Sequence, residues 1–325
     1  MISYIVSALI LILLSYVYIR IADRCNIIDK PNHRSSHKNI TLRGGGVLFF
    51  FALLLFFINS NFQYPFLILG VSLIAIVSFI DDIISLDSKI RLLFQIIALI
   101  LMLIQLFSPV DDWGLIILFV TVGVGFVNIY NFMDGINGIT GLYSLSVFSL
   151  YYFINAVEHI IQQDIVVFSI ISLLIFGFYN FRRKAKLFAG DVGSISIAMI
   201  IFFIGLKMRV QLEAPILLLC FMLYGADALI TILYRKYLGE KLTEAHRHHI
   251  YQKLVDVLKW SHMKVSIIYT TIQLMLNVVV FFTYKVNLFI QWVVYTILVI
   301  LFIGIYIFIF KKIEAYEGLK TENLI

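Results

Sequence analysis

Apolar runs of roughly 20 residues recur along this chain from one end to the other, and that recurrence restricts its fold more than any motif does. In hydrocarbon every backbone N–H and C=O must find a partner inside the segment or in a closed barrel, so such runs read as membrane-spanning helices. Composition agrees: a mean hydropathy of +0.99 with only 14% charged residues leaves no material for a water-soluble domain. The 325 residues hold no Pro/Gly/Ser-rich linker, low-complexity tract or internal repeat, so one membrane domain is expected over 1–325. The fold class is therefore all-α, a polytopic integral membrane protein.

Eleven spans are expected, over 2–19, 44–58, 65–80, 92–107, 114–130, 141–156, 165–179, 192–206, 214–233, 265–283 and 288–310. The first is no cleavable signal, because nothing basic precedes it while Arg20 and Arg24 follow it. With the N-terminus outside, 22 of the 25 Lys and Arg residues fall on the cytoplasmic side, leaving Lys207, Arg209 and Lys285 outside. Excess basic charge in cytoplasmic loops sets orientation, so the C-terminus is expected in the cytoplasm. Cys25 lies in a polar segment and Cys220 in an apolar run, which argues against a disulfide.

The same topology sends the unusual polar stretches to one face: "DKPNHRSSHKNITLRGGG" (29–46), "FIDDIISLDSKIR" (79–91), "NIYNFMDGING" (128–138), "NFRRKAKLFAGDVGS" (180–194) and "EAHRHHIYQ" (244–252). Any one of them reads equally well as acids and amides capping helix ends in water. Five on one face, mixing acids and bases, point to a site where cytosol meets lipid. A transporter of nucleotide sugars or lipid-linked sugars is the alternative, although such proteins place polar groups near the midplane on interrupted helices.

Asp81, Asp82, Asp134 and Asp191 are hard oxygen donors, with Asn128, Asn131 and Asn137 beside them, and the chain offers no zinc-type Cys/His spacing. Oxygen ligands favour Mg²⁺, with Mn²⁺ as the alternative. Around them stand Arg34, His37, Arg43, Lys89, Arg91, Arg182, Arg183, Lys184, Lys186 and Arg247, cations suited to phosphate. Acids that hold a divalent ion, ringed by bases, suggest phosphoryl transfer, in which catalysis is mostly positioning and charge neutralisation. Past the last polar stretch, Leu254, Val257, Leu258 and Trp260 among lysines suit either an interfacial helix or a plain helical loop.

In order and topology these motifs resemble the polyprenyl-phosphate N-acetylhexosamine-1-phosphate transferase family from about Asp29 to Gln252. "PNHRSSH" with "RGGG", and "HRHHIYQ", are most similar to the subgroup that initiates O-antigen-type polysaccharides. The resemblance implies that the phosphate of undecaprenyl phosphate attacks the β-phosphorus of a UDP-N-acetylhexosamine, releasing UMP. The implied partners are these two substrates and the lipid bilayer, with no nucleic acid and with a homodimer as an option.

Roles carried over by the resemblance fall on matching positions. Asp191 in "GDVGS" matches a magnesium ligand and Asn131 an amide supporting the ion or the diphosphate. Asp81 matches an acid that accepts the proton of the lipid phosphate or organises the site, with Asp82 holding that geometry or the metal. Asp134 and Asn137 match residues near the nucleotide, Phe188 an aromatic for uracil and Asn180 an amide for its edge. Arg247 and His249 match groups on the diphosphate, with His249 counted among the catalytic candidates. Tyr251 and Gln252 stand where further histidines are common, a departure that bears on the sugar contacts.

Overall fold

The computed structural model describes residues 2–29, 40–107, 112–241 and 246–322, with side chains up to 316. It is a helical bundle in chain order: α1 (Ile2–Arg24), α2 (Val47–Asn59), α3 (Pro65–Ile83), α4 (Ser88–Phe107), α5 (Trp113–Phe132), α6 (Ile139–Glu158), α7 (Gln163–Asn180) and α8 (Gly190–Gln211). A 3-10 segment, Pro215–Phe221, then leads into α9 (Met222–Tyr237), followed by α10 (Ile250–Asp256), α11 (His262–Thr283) and α12 (Leu288–Glu322). Among the described residues nine helices are long and apolar enough to cross a membrane. The two other expected spans form α2, which is only 13 residues long, and α6, which is more polar. The protein is thus all-α and polytopic, with every expected span a helix.

Boundaries shift where local chemistry intervenes. The 214–233 run begins as a 3-10 segment at Pro215, whose fixed φ and missing N–H suit a first helical turn. Asp112 caps α5 by accepting the Leu115 N–H at 3.1 Å, and Ser261 caps α11 by accepting that of Lys264 at 3.3 Å. The last helix runs to Glu322, beyond the expected 310, because nothing in "FKKIEAYEGLK" breaks a helix before Gly318 and even that residue is passed. Cys25 is exposed, Cys220 is buried and both are free.

Helix α8 is the axis of the bundle. It is buried along nearly its whole length and packs against α2, α3, α5 and α6. Its neighbours come close because small residues face each other: a Cβ on Gly46, just before α2, would overlap the Cα of Gly193. Outer helices are the reverse, with α1, α4 and α12 presenting large apolar side chains outward, as lipid-facing surfaces do. Interior polar groups are paired across helices: Tyr130 with Ser144 at 2.7 Å, and Tyr143 donating to the Cys220 carbonyl and to Gln273 at 2.8 and 2.9 Å. Such bonds contribute only about 0.6 kcal/mol each in a membrane, and they fix rotation more than they add stability.

One feature the helical reading does not contain is a short antiparallel ribbon, Ile28–Asp29 (β1) against Thr41–Leu42 (β2), with Ile28 opposite Leu42. Leu42 also bridges Leu187 in parallel, and Phe188 N–H donates to Leu42 C=O at 2.8 Å. Gly45 and Gly46 N–H then donate to the carbonyls of Phe188 and Ala189 at 2.8 and 2.9 Å. The ribbon therefore docks the "RGGG" segment onto the approach to α8.

Candidate active site

Alternate helices end at the same pole of the bundle, and there the polar stretches meet. The C-terminal turn of α3 carries Asp81 and Asp82, and the first turn of α8 carries Asp191. Ala189, which precedes α8, offers no side-chain cap, so α8 borrows one: Asp82 accepts the N–H groups of Asp191 at 2.9 Å and Val192 at 3.2 Å. Gly190, at φ +72°, makes the approach possible, since a Cβ there would strike the Asp82 carboxylate and the Gly44 backbone.

Two arginines tie the acids together. Arg43 Nε lies 2.7 Å from Asp82 Oδ1 and its Nη2 2.8 Å from Asp191 Oδ1. Arg91 Nη1 lies 3.0 Å from Asp81 Oδ2 and 3.6 Å from Asp191 Oδ2. The side chain of Asp82 is fully buried, while the Arg43 and Arg91 side chains keep about a third of their surface exposed (32% and 37%), so the cluster is more open on its basic side. Tyr18 holds the Arg43 backbone by donating to its carbonyl at 2.6 Å. The other oxygen of Asp81 accepts the Leu86 N–H at 2.6 Å, closing the turn between α3 and α4.

Asn131, in the last turn of α5, completes the group. Its Nδ2 is 3.4 Å from Asp191 Oδ2, and its Oδ1 accepts the Ser194 hydroxyl at 2.7 Å. Asp134 follows in the turn between α5 and α6, where burial, reinforced by the carboxylates of Asp191 and Asp82 and opposed by Arg43, pushes its carboxyl up to about 7. Among the described residues no group of three His, Cys, Asp or Glu forms a ready metal cage. Mg²⁺ needs none, because it is held by one or two carboxylates plus substrate phosphates and water. The hard carboxylate of Asp191, with the Asn131 amide 3.4 Å away, fits that ion.

The remaining candidates fall into three groups. Lys89 is exposed on the first turn of α4 and has no place in the acid cluster. Asn128 forms a reciprocal amide pair with Gln95 at 2.9 and 3.4 Å, one turn below Asn131. Asn180 is buried with its amide engaged at both ends, accepting from Gly138 N–H at 2.7 Å and donating to Leu187 C=O at 2.9 Å. It therefore joins the 131–138 turn to the 180–189 loop. Asn137 donates to the carbonyls of Arg182 and Arg183 at 3.0 and 3.2 Å, while its buried Oδ1 has no partner among the described residues. Phe188 is half-buried beside the ribbon. Arg34 and His37 lie outside the described residues.

The last polar loop packs on the same turn. Tyr251 donates to Phe132 C=O at 2.9 Å and fills the space that Gly135 leaves empty. Arg247 pairs with Asp256 at 2.5 Å, and His248 with Glu240 at 2.9 Å. Burial, helped by His249 and Arg235, pulls His246 down to about 4, so it is neutral near pH 7. Trp260 turns inward under the Lys264 ammonium, 3.9 Å from its ring centroid, and Leu254 is buried; α10 packs against α11 and α12.

His249 is buried with Nδ1 3.1 Å from Asp227 Oδ1. Asp227 lies on α9, fully buried, and is the functional-looking residue that sequence reasoning passed over. Its signal was an acid inside the apolar run 214–233, and an ionisable group inside a span is rarely idle. Ser194 and Gln95 were equally unannounced.

Residues 64–209 match the family described as Glycosyl transferase family 4. The chain is 26% identical over 297 residues to a probable undecaprenyl-phosphate N-acetylglucosaminyl 1-phosphate transferase of Bacillus subtilis, covering 82% of this chain and 80% of that one. It is 27% identical over 284 residues to an undecaprenyl-phosphate alpha-N-acetylglucosaminyl 1-phosphate transferase of Thermotoga maritima, covering 83% and 87%. A phospho-N-acetylmuramoyl-pentapeptide-transferase of Streptococcus thermophilus is 29% identical over 160 residues, 46% of this chain and 47% of its own. The class these matches define is that of phosphosugar transferases. Within it, the chain is similar to the polyprenyl-phosphate hexosamine-1-phosphate transferases.

Proposed function

We propose that this protein transfers an N-acetylhexosamine-1-phosphate from a UDP-sugar to undecaprenyl phosphate at the cytoplasmic face of a bacterial inner membrane. The observation that carries the reading is the double clamp in which Arg43 joins Asp82 to Asp191 and Arg91 joins Asp81 to Asp191. It sets acids for a divalent ion and guanidinium forks for phosphate side by side at the pole of a membrane bundle, where a soluble nucleotide and a lipid phosphate can meet. The relatives from Bacillus and Thermotoga, named for undecaprenyl phosphate and an N-acetylglucosaminyl 1-phosphate, support the same substrates.

In the reaction an oxygen of the lipid phosphate forms a bond to the β-phosphorus of the UDP-sugar. The bond from that phosphorus to the bridging oxygen breaks, and UMP leaves with the electron pair. Asp191, with Asn131, would hold Mg²⁺, which when bound neutralises charge on the diphosphate. Arg43 and Arg91 would bind and orient phosphoryl oxygens. Asp82 keeps the start of α8 in register with α3, so that Asp191 faces this spot. Asp134, Asn137 and Phe188 would contact the nucleotide. The motifs "RGGG" and "HRHHIYQ" support the finer assignment to a transferase that begins a surface polysaccharide such as O-antigen.

Purified protein in lipid should release UMP from a UDP-N-acetylhexosamine only when undecaprenyl phosphate and Mg²⁺ are both present, with a lipid-linked diphosphosugar found by mass spectrometry. Uptake of the intact nucleotide sugar into vesicles without UMP release would instead establish a transporter.

A further inference from the structure

Asp227 is fully buried in the span that runs through α9, and it is saturated with donors. Its Oδ2 accepts the Tyr269 hydroxyl of α11 at 2.7 Å and the Tyr251 N–H at 3.4 Å. Its Oδ1 takes the Ile250 N–H at 3.0 Å, with the Thr231 hydroxyl at 3.4 Å and His249 Nδ1 at 3.1 Å. The backbone bonds make it the cap of α10, which explains part of its presence. They do not explain the imidazole.

A carboxylate that only accepts hydrogen bonds requires a proton on the nitrogen facing it, so His249 carries its hydrogen on Nδ1. Its Nε2 is buried and has no hydrogen-bond partner among the described residues. An imidazole buried with one nitrogen neutralised and the other open is arranged for a ligand, since burying a polar atom unpaired is otherwise unfavourable. The ring stacks on Tyr251 at 5.6 Å between centroids, and the Tyr251 hydroxyl is bonded to Phe132 C=O, next to Asn131 and Asp134. The orientation of His249 is thus tied mechanically to the turn that bears the acid cluster's amide.

We propose that Asp227 is a positioning residue for the transfer reaction: it locks His249 with the proton on Nδ1 and leaves Nε2 as an acceptor for a hydroxyl of the substrates, on the sugar or on a monoprotonated lipid phosphate. The inference rests on the transferase reading for the identity of the ligand and on geometry alone for the orientation.

Two measurements on the full-length protein in lipid test it. Solid-state ¹⁵N spectra of histidine-labelled protein should show His249, assigned among the seven histidines by its loss in His249→Gln, with the hydrogen on Nδ1. Asp227→Asn can turn either its amide oxygen or its NH₂ toward Nδ1, so it no longer dictates the tautomer. It should give a mixed or reversed tautomer and a kcat lower by about 10²-fold, with KM for the UDP-sugar changed by less than about threefold. A wild-type His249 with its hydrogen on Nε2 overturns the proposal, as does an Asp227→Asn enzyme with unchanged kcat. Should that variant fail to fold, the wild-type spectrum still decides. A correct tautomer in a wild type that transfers no sugar phosphate would instead overturn the transferase reading and leave the orientation standing.

Discussion

Asp82 accepts the backbone N–H of Asp191 at 2.9 Å, so an acid at the end of α3 caps the helix whose first turn carries the next acid. A carboxylate at a helix N-terminus is favoured by the helix dipole, and here it also fixes where that second carboxylate points. Arg43 then completes a triangle with both acids. The capping bond makes Asp82 a structural residue and a site residue at once.

Removing it should show both roles. Asp82→Ala strips two N–H groups of α8 of their acceptor and leaves Arg43 half-paired, and breaking a buried pair from one side destabilises by about 3 kcal/mol. A lower melting temperature in detergent and loss of UMP release are expected. Asp82→Asn keeps an acceptor oxygen, so it should melt closer to wild type while remaining inactive.

Asp191→Asn separates chemistry from fold, because its side chain caps nothing and the amide oxygen still accepts from Arg43. The variant should keep the wild-type melting temperature and lose most turnover, with a raised Mg²⁺ requirement in what remains. Near-normal turnover with unchanged Mg²⁺ dependence would remove Asp191 from the metal.

Much of this was legible in the chain. Runs of apolar residues located every helix but the short α10, and the pairing of "DD" with "GDVGS" was open to a reader who followed topology to one pole. What the sequence hid were partners chosen by packing. Asn180 looks like a ligand for a base and instead joins two loops, because its amide lands between Gly138 N–H and Leu187 C=O once α6 and α7 pack. Arg43 looks like one base among many and is the hub, because the short ribbon at Leu42 and Leu187 delivers it to Asp82. Neither position has a local signature, since each depends on segments far apart in the chain.

The positive-inside reading assigns 22 of the 25 basic residues to the cytoplasmic side, an orientation that labelling tests. With the exposed native Cys25 replaced by serine, single cysteines at the exposed positions Lys89, Lys184 and Lys241 should resist an impermeant thiol reagent in intact cells and react once the membrane is opened. Labelling of any of the three in intact cells would place that loop outside.

Asp134 makes stability depend on pH. Burial holds its carboxyl up at about 7, above its unfolded value of about 3.9, so the folded protein binds a proton that the unfolded chain has lost. The stabilisation is therefore complete below the unfolded value and lost as pH rises through about 7. Metal-free protein should melt at progressively lower temperature between pH 5 and 8, and Asp134→Asn should make that slope shallower; equal slopes would exclude Asp134 as a source.

Asp81 is the residue for which two roles compete. A general base needs an oxygen free to take the proton, yet Oδ1 accepts the Leu86 N–H at 2.6 Å and Oδ2 pairs with Arg91 at 3.0 Å. The acid is thus committed to closing the α3–α4 turn and to holding the guanidinium that also faces Asp191. The lipid phosphate scarcely needs a base, because a phosphate monoester has a second pKa of about 6 and is mostly dianionic at neutral pH. If Asp81 took the proton, Asp81→Asn would lose most activity at acidic pH and recover as pH rose through about 6 to 7. As an organiser of Arg91, its charge is missing at every pH. The ratio of wild-type to Asp81→Asn turnover, measured from pH 5.5 to 9 with saturating Mg²⁺ and lipid, should therefore be constant. A ratio that falls steadily with rising pH would make Asp81 the base.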